Sequence, residues 1–302
     1  MNPFATARRF IFAPEDARRL AALRIGLFGL VALRLATNPD YAQVAGQPSQ
    51  LFDPVSLFHL LPQMPSPGVT VVAQILGVVL AVAAAAGIAP RATFPTAFAV
   101  SIFLNLMLNS TGKIVHNDLL VTLCLVPLLA APTAASRAWS VSIPKRARPG
   151  PPSVAYGWPV RLAMVVIALA YLFAGLQKLR YSGLDWVTTD NLRYVMWASS
   201  DAHAGGNQLA LLVANNDWMA HLLAASTLVV EIGFILCLPF KRLRWFFVPA
   251  VVGLHVGIWL AMGLDYLPQA TAVIIVFVNW PAITSALARR SAPEHPREPA
   301  PS

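Results

Sequence analysis

The chain has 302 residues, of which 57% are hydrophobic and only 12% charged, with a mean hydropathy of +0.62. A soluble globular chain is nearer half apolar and about a quarter charged, so this balance excludes a disordered protein, a nucleic-acid binder and an ordinary cytosolic enzyme. The net charge of +9 sits on Lys and Arg placed between apolar runs, where it reads as membrane topology and not as a nucleic-acid footprint.

In chain order, residues 1–17 read as an inner-side segment lying at the membrane surface, because Phe4, Phe10 and Phe12 flank Arg8 and Arg9. Ala13-Pro14-Glu15-Asp16 has the form of a helix start, with Pro early and acids in the first turn. Crossing the hydrocarbon core takes roughly 20 mostly apolar residues. Eight runs are candidates: Leu20–Ala36, Val69–Ala89, Phe94–Leu108, Leu119–Ala131, Pro159–Leu179, His221–Leu238, Trp245–Gly263 and Leu267–Leu287. The third and fourth are short. The first holds Arg24 and Arg34 and lacks a small-residue cleavage site, so it reads as a retained span and not a signal. The expected architecture is all-α, a transmembrane helix bundle of about eight spans over residues 18–287. Residues 143–153 read as an exposed basic inner loop, and residues 288–302 as a disordered inner tail. Cys124 and Cys237 lie inside apolar runs and offer neither a disulfide framework nor a metal motif.

Lys and Arg orient this bundle. They are dense before the first run (Arg8, Arg9, Arg18, Arg19), in the 132–158 loop (Arg137, Lys145, Arg146, Arg148), in the 239–244 turn (Lys241, Arg242, Arg244) and in the tail. They are absent from the 37–68 and 264–266 loops and thin over 180–220; Arg91 and Lys113 tie and decide nothing. The alternation fits eight spans with both termini inside. Of the 13 acidic residues, eight then fall on the outer side. The chemically mixed outer surface is where a site is expected to open. The 180–220 loop there is long enough for two short helices.

Ionisable groups at membrane depth are costly and mark function by default. Glu231 and His255 lie deep in their runs, as does Arg34, which the bland reading lets snorkel outward. The bland reading of Glu231 and His255 is a buried structural pair. Tyr171, Ala174, Gly175 and Lys178 share one helix face. The small residues admit a neighbouring helix or a flat ligand, and an amine beside that groove, poorly hydrated, can act as a base. A snorkelling lysine is the alternative. In Lys113-Ile-Val-His116-Asn117-Asp118, Asn117 is placed to cap the next helix with Asp118 in its first turn; that accounts for His116 less well. No zinc, phosphate-loop or dinucleotide motif is visible.

Tyr171-Leu-Phe-Ala174-Gly175-Leu-Gln-Lys178-Leu179, followed by Gly183 and Trp186, resembles the Y-x-x-A-G-x-x-K-L…W segment of the vitamin K-dependent gamma-carboxylase-like family, the HTTM membrane domain. Leu23-Arg24-Ile25-Gly26, His116-Asn117-Asp118-Leu119-Leu120, Glu231-Ile-Gly and Leu254-His255-Val256 keep the family order. The resemblance covers nearly the whole chain. It implies that Lys178 is the base that deprotonates vitamin K hydroquinone, assisted by His116, in a site opening to the outer side; Asp118 is read as a second assisting residue beside it. Asn117, Tyr171, Gly175, Trp186, Glu231 and His255 are the expected substrate-binding set, with a reduced quinone as the implied cofactor and no metal. Carboxylases of the family carry a large lumenal C-terminal domain that engages protein substrate, whereas this sequence ends soon after its last apolar run; protein glutamate is therefore not the expected substrate.

Two functions stay open at this stage. One is an enzyme using a lysine base on a lipid-soluble hydroquinone. The other is a non-catalytic lipid- or quinone-binding or transport component, since Glu231 and His255 fit a proton path equally well. The expected partners are the lipid bilayer and a lipid-soluble small molecule, with no nucleic acid. The Ala- and Arg-rich composition suits a multi-pass protein of a bacterial inner membrane.

Overall fold

The structure, a computed structural model, describes residues 3–131, 151–201 and 206–290. The basic stretch 143–150, His203 and the tail from residue 291 lie outside the described residues. Among the described residues there are 14 α-helices and no strand. Short α1 (Pro3–Ile11) precedes α2 (Ala17–Thr37), and α3 (Asp40–Val44) follows it. Then come α4 (Pro67–Ala86), α5 (Pro90–Asn109), α6 (Leu119–Leu129) and α7 (Val154–Ser182). Three short helices, α8 (Asp185–Thr188), α9 (Asn191–Asp201) and α10 (Gln208–Ala214), lead to α11 (Asp217–Gly233). The chain closes with α12 (Arg244–Met262), α13 (Leu267–Phe277) and α14 (Trp280–Arg290).

Local chemistry sets these boundaries. Asp16 accepts from the Arg18 backbone N–H at 2.7 Å and so caps α2, standing just outside the helix instead of in its first turn. Ser66, Ser153 and Asn207 cap α4, α7 and α10 in the same way. The C-termini of α4 and α12 stop at Gly87 and Gly263, both left-handed, as the end of a helix favours.

Each of the eight apolar runs becomes helical, but the last differs from expectation. The last run is two helices, because the chain turns extended at Val278 and restarts with Asn279 bonding the Ala282 N–H and Pro281 in the first turn of α14. The 180–220 stretch, read as long enough for two short helices, holds three among its described residues. Six helices are long and apolar enough to cross a membrane. The shorter α6 and α13 have 11 residues each, or about 17 Å at 1.5 Å per residue.

The centre is α2, which packs against α4, α6, α7 and α13. Its buried Leu20, Leu27 and Phe28 join Phe94 of α5, the two rings 4.8 Å apart. Arg24, fully buried on the same helix, donates from Nε to the Ala85 carbonyl at 3.1 Å, satisfying the C-terminal end of α4. On the far side of α4, Val72, Ile75 and Val79 are each about 60% exposed. Such a stripe is stable only against lipid, and with the six long apolar helices it makes this a multi-pass membrane protein.

Residues 13–16 are clamped onto the start of α7. Glu15 and Ser153 exchange backbone hydrogen bonds of 3.1 and 3.0 Å. Gly157 faces this strap so closely that a Cβ there would sit 2.1 Å from the Ala13 carbonyl oxygen. A backbone atom cannot yield as a side chain can. Gly157→Ala should therefore destabilise the protein by about 1–3 kcal/mol, read as a lower thermal midpoint in detergent, whereas Gly253→Ala, where nothing lies within 4 Å, should leave it unchanged.

Candidate functional site

Near the C-terminal end of α7 the bundle opens into a cavity of about 340 Å³. One wall is Ala170, Tyr171, Ala174 and Lys178 of α7; another is Leu119, Leu120 and Leu123 of α6. Glu231 of α11 and His255 and Ile258 of α12 close the depth, while His116, Tyr266 and Gln269 form the lip. The volume falls within the roughly 300–1,000 Å³ of small-molecule sites, which are likewise apolar with a few convergent polar groups.

The lysine does not snorkel away, and its amine is paired with a carboxylate. Its Nζ donates to both oxygens of Glu231, at 2.7 and 2.8 Å, and lies 5.3 Å from the centre of the Trp186 ring. The side chains of Lys178 and Glu231 are 22% and 9% exposed. Gly175 makes this pairing possible. A Cβ on it would stand 2.6 Å from Ile232 Cγ1 and 3.2 Å from Glu231 Cβ, so the missing side chain lets α11 approach α7 and brings the carboxylate beside the amine one turn on. Gly175 is thus consumed by helix packing, and Ala174 alone of the two small residues faces the cavity.

Glu231 does not pair with His255, as a simple buried pair would require. His255 Nε2 instead shares a 2.6 Å hydrogen bond with the Tyr171 hydroxyl. Its Nδ1 is buried without a hydrogen-bond partner among the described residues, as is Nε1 of Trp186. At the lip, His116 Nε2 and the Tyr266 hydroxyl share a hydrogen bond of 3.2 Å, and Gln269 Nε2 donates to the His116 carbonyl at 3.2 Å. Burial raises the Tyr266 phenol above its ordinary range, which keeps it a neutral hydroxyl. Tyr266 and Gln269 were missing from the expected set. The signal for them was faint: an isolated Gln one turn beyond a Tyr, at the polar start of an apolar run.

Besides Gly175, three of the expected residues stand away from the cavity. Trp186 supports Lys178 from outside it. Asn117 neither lines it nor caps α6; Asp118 occupies the cap position, and its side chain makes no capping bond. Asp118 is turned from the cavity toward Arg34, whose Nε and Nη2 donate to it at 2.7 and 3.3 Å. Arg34 Nη1 also donates to Asp265 at 2.6 Å. Arg34 therefore does not snorkel. It joins α2 to the residue two places after His116 and to the residue just before Tyr266, and so braces both halves of the lip.

This brace has a measurable signature. Burial pushes the Asp118 carboxyl above its usual range, and the Arg34 guanidinium pulls it part of the way back. Arg34→Gln leaves a carboxylate that is 9% exposed without its counter-charge, and should cost about 3–5 kcal/mol at neutral pH. An acid whose pKa is raised by folding gains stability as it takes up a proton, so the deficit should shrink as pH falls through the folded-state pKa of Asp118. Thermal unfolding across pH, with Arg34→Gln/Asp118→Asn as the rescued double variant, checks this.

The chain matches the family model described as the HTTM domain over residues 12–280. No curated protein and no solved structure matches it significantly. The match spans most of the chain, including every helix that lines the cavity. With its long apolar helices and lipid-facing stripe, the protein belongs to the HTTM family of multi-pass membrane proteins.

Proposed function

We propose that this HTTM protein is an enzyme that removes a proton from a lipid-soluble hydroquinone or similar phenol held in the cavity, with Lys178 and Glu231 as the proton-transfer pair. The observation that carries the reading is that Lys178, Glu231 and His116 all line one cavity, with Lys178 bonded to both oxygens of Glu231. The hydroquinone itself is carried over from the sequence resemblance to the gamma-carboxylase branch.

The lining residues suit such a guest. Leu119, Leu120, Leu123 and Ile258 offer apolar surface to a ring, and His255 Nδ1 and the His116–Tyr266 lip offer polar contacts. A bound hydroquinone would supply a weakly acidic hydroxyl and two reducing equivalents. The chain's own groups handle the proton. The Lys178 ammonium passes a proton to the Glu231 carboxylate along their 2.7 Å hydrogen bond, which trades two buried charges for none and limits the cost of the step. The freed lone pair on Nζ takes the hydroxyl proton, leaving the amine charged again beside a neutral Glu231. Trp186 holds the regenerated cation by its ring face. Tyr171 fixes the His255 ring, and Arg34 fixes the lip.

A binding or carrier role without turnover is the second reading. It is favoured by the closed Lys178–Glu231 contact, which occupies the amine in the free protein. The two readings separate in detergent-purified protein given vitamin K hydroquinone as probe. For the enzyme, Lys178→Ala and Lys178→Arg should both lower hydroquinone oxidation in air by about 10²–10⁴-fold, and Glu231→Gln should do likewise, while Lys178→Arg still retains quinone by mass spectrometry. If both Lys178 variants turn over at the wild-type rate, the catalytic reading fails. Quinone retention by a wild-type protein with no turnover selects the binding role.

A further inference from the structure

At the opposite end of the bundle a second cluster has the wrong charge balance for its burial. Lys178 and Arg161 both stand on α7, about 25 Å apart at 1.5 Å per residue, so this cluster is remote from the cavity. Arg161 Nη2 bonds Glu15 Oε2 at 3.1 Å, and Arg19 Nη1 lies 3.8 Å from the same oxygen. Arg244, at the start of α12, lies close enough to interact electrostatically with Arg19, Arg161 and Glu15. Two guanidinium groups therefore share one carboxylate, and a third lies within electrostatic range of them. The side chains of Arg19 and Arg161 are only 11% and 13% exposed.

The three arginines are not equally satisfied. Arg161 donates to the Phe10 carbonyl at 2.9 Å and stacks on the Phe10 ring. Arg244 donates from Nε to the Cys237 carbonyl at 2.9 Å and lies over the Phe277 ring. Arg19 has no such outlet: its Nε is buried without a hydrogen-bond partner among the described residues. Around the cluster stand exposed Trp245, Phe246 and Phe12 with Lys241 and Arg242, the aromatic and basic mixture of a bilayer interface. An excess of two positive charges at this burial is costly without an anion, and guanidinium forks match the oxygens of phosphate.

We propose that Arg19, Arg161 and Arg244 form a phosphate-binding site at this end of the bundle, filled by the headgroup of an anionic phospholipid. The headgroup layer supplies phosphate at this level of the bilayer, and the exposed aromatic side chains beside the cluster favour a lipid over a soluble anion. Glu15 holds Arg161 and Arg19 in place and leaves the surplus charge for the ligand.

The test uses the full chain purified in mild detergent. Native mass spectrometry should find phosphatidylglycerol retained in preference to phosphatidylcholine, and added phosphatidylglycerol should raise the thermal midpoint where phosphatidylcholine does not. Arg19→Gln and Arg244→Gln should each abolish both effects, whereas Lys241→Gln/Arg242→Gln, altering only exposed charge, should keep them. Should Arg19→Gln fail to fold, Arg244→Gln carries the test alone. Inorganic phosphate that raises the midpoint and displaces the lipid would support the arginine site and assign it a soluble ligand in place of a lipid. Retention that survives both arginine variants, or that is lost only in the Lys241/Arg242 variant, overturns the proposal.

Discussion

A charge inside an apolar bundle must find its opposite or water, and the places where this protein meets that demand fix its architecture. Lys178 meets Glu231 across α7 and α11; Arg34 meets Asp118 and Asp265 across α2, α6 and the turn before α13. These contacts tie together helices that apolar packing alone would leave free to slide, because lipid tails are as apolar as the side chains they would replace. Polar pairing supplies the register, and small residues such as Gly175 and Gly157 supply the close approach that the pairing needs.

The two ends of the bundle solve the problem differently. Around the cavity each lysine or arginine has a carboxylate at hydrogen-bond distance, and the remaining polar groups, His255 Nδ1 above all, face a space that a guest can fill. At the other end basic groups outnumber acids around Glu15. The same chain thus carries a self-neutralised site at one end and a site short of negative charge at the other, which is the polarity expected if one takes a neutral amphiphile and the other an anion.

Much of the helical framework was legible in the sequence because it rests on one dominant quantity, the length of apolar runs. All eight runs are helical, and the Tyr171–Lys178 face was visible from its 3.6-residue period. What sequence could not give was pairing across helices. Arg34 sits 84 residues from Asp118 and 231 from Asp265, and no local pattern encodes such a contact. For the same reason the bland reading paired Glu231 with His255 where the structure pairs it with Lys178, and Asp118 was expected at the site and serves the brace. Gly175 was read correctly as a point of close approach, but whether a helix or a ligand would use it depended on where α11 lay. The last run was read as one helix because its apolarity is continuous, while the break is imposed by Asn279 and Pro281, two residues that averaged hydropathy hides.

The shortness of α6 and α13 has its own consequence. These two helices pack against each other and both border the cavity, yet each reaches only about 17 Å where the hydrocarbon slab is about 30 Å thick. Thinning of the bilayer beside so low a wall is one way such a mismatch is met. With headgroups drawn toward the cavity mouth on that flank, an amphiphile of the kind proposed above would enter sideways, its tail in the leaflet and its polar ring level with His116 and Tyr266.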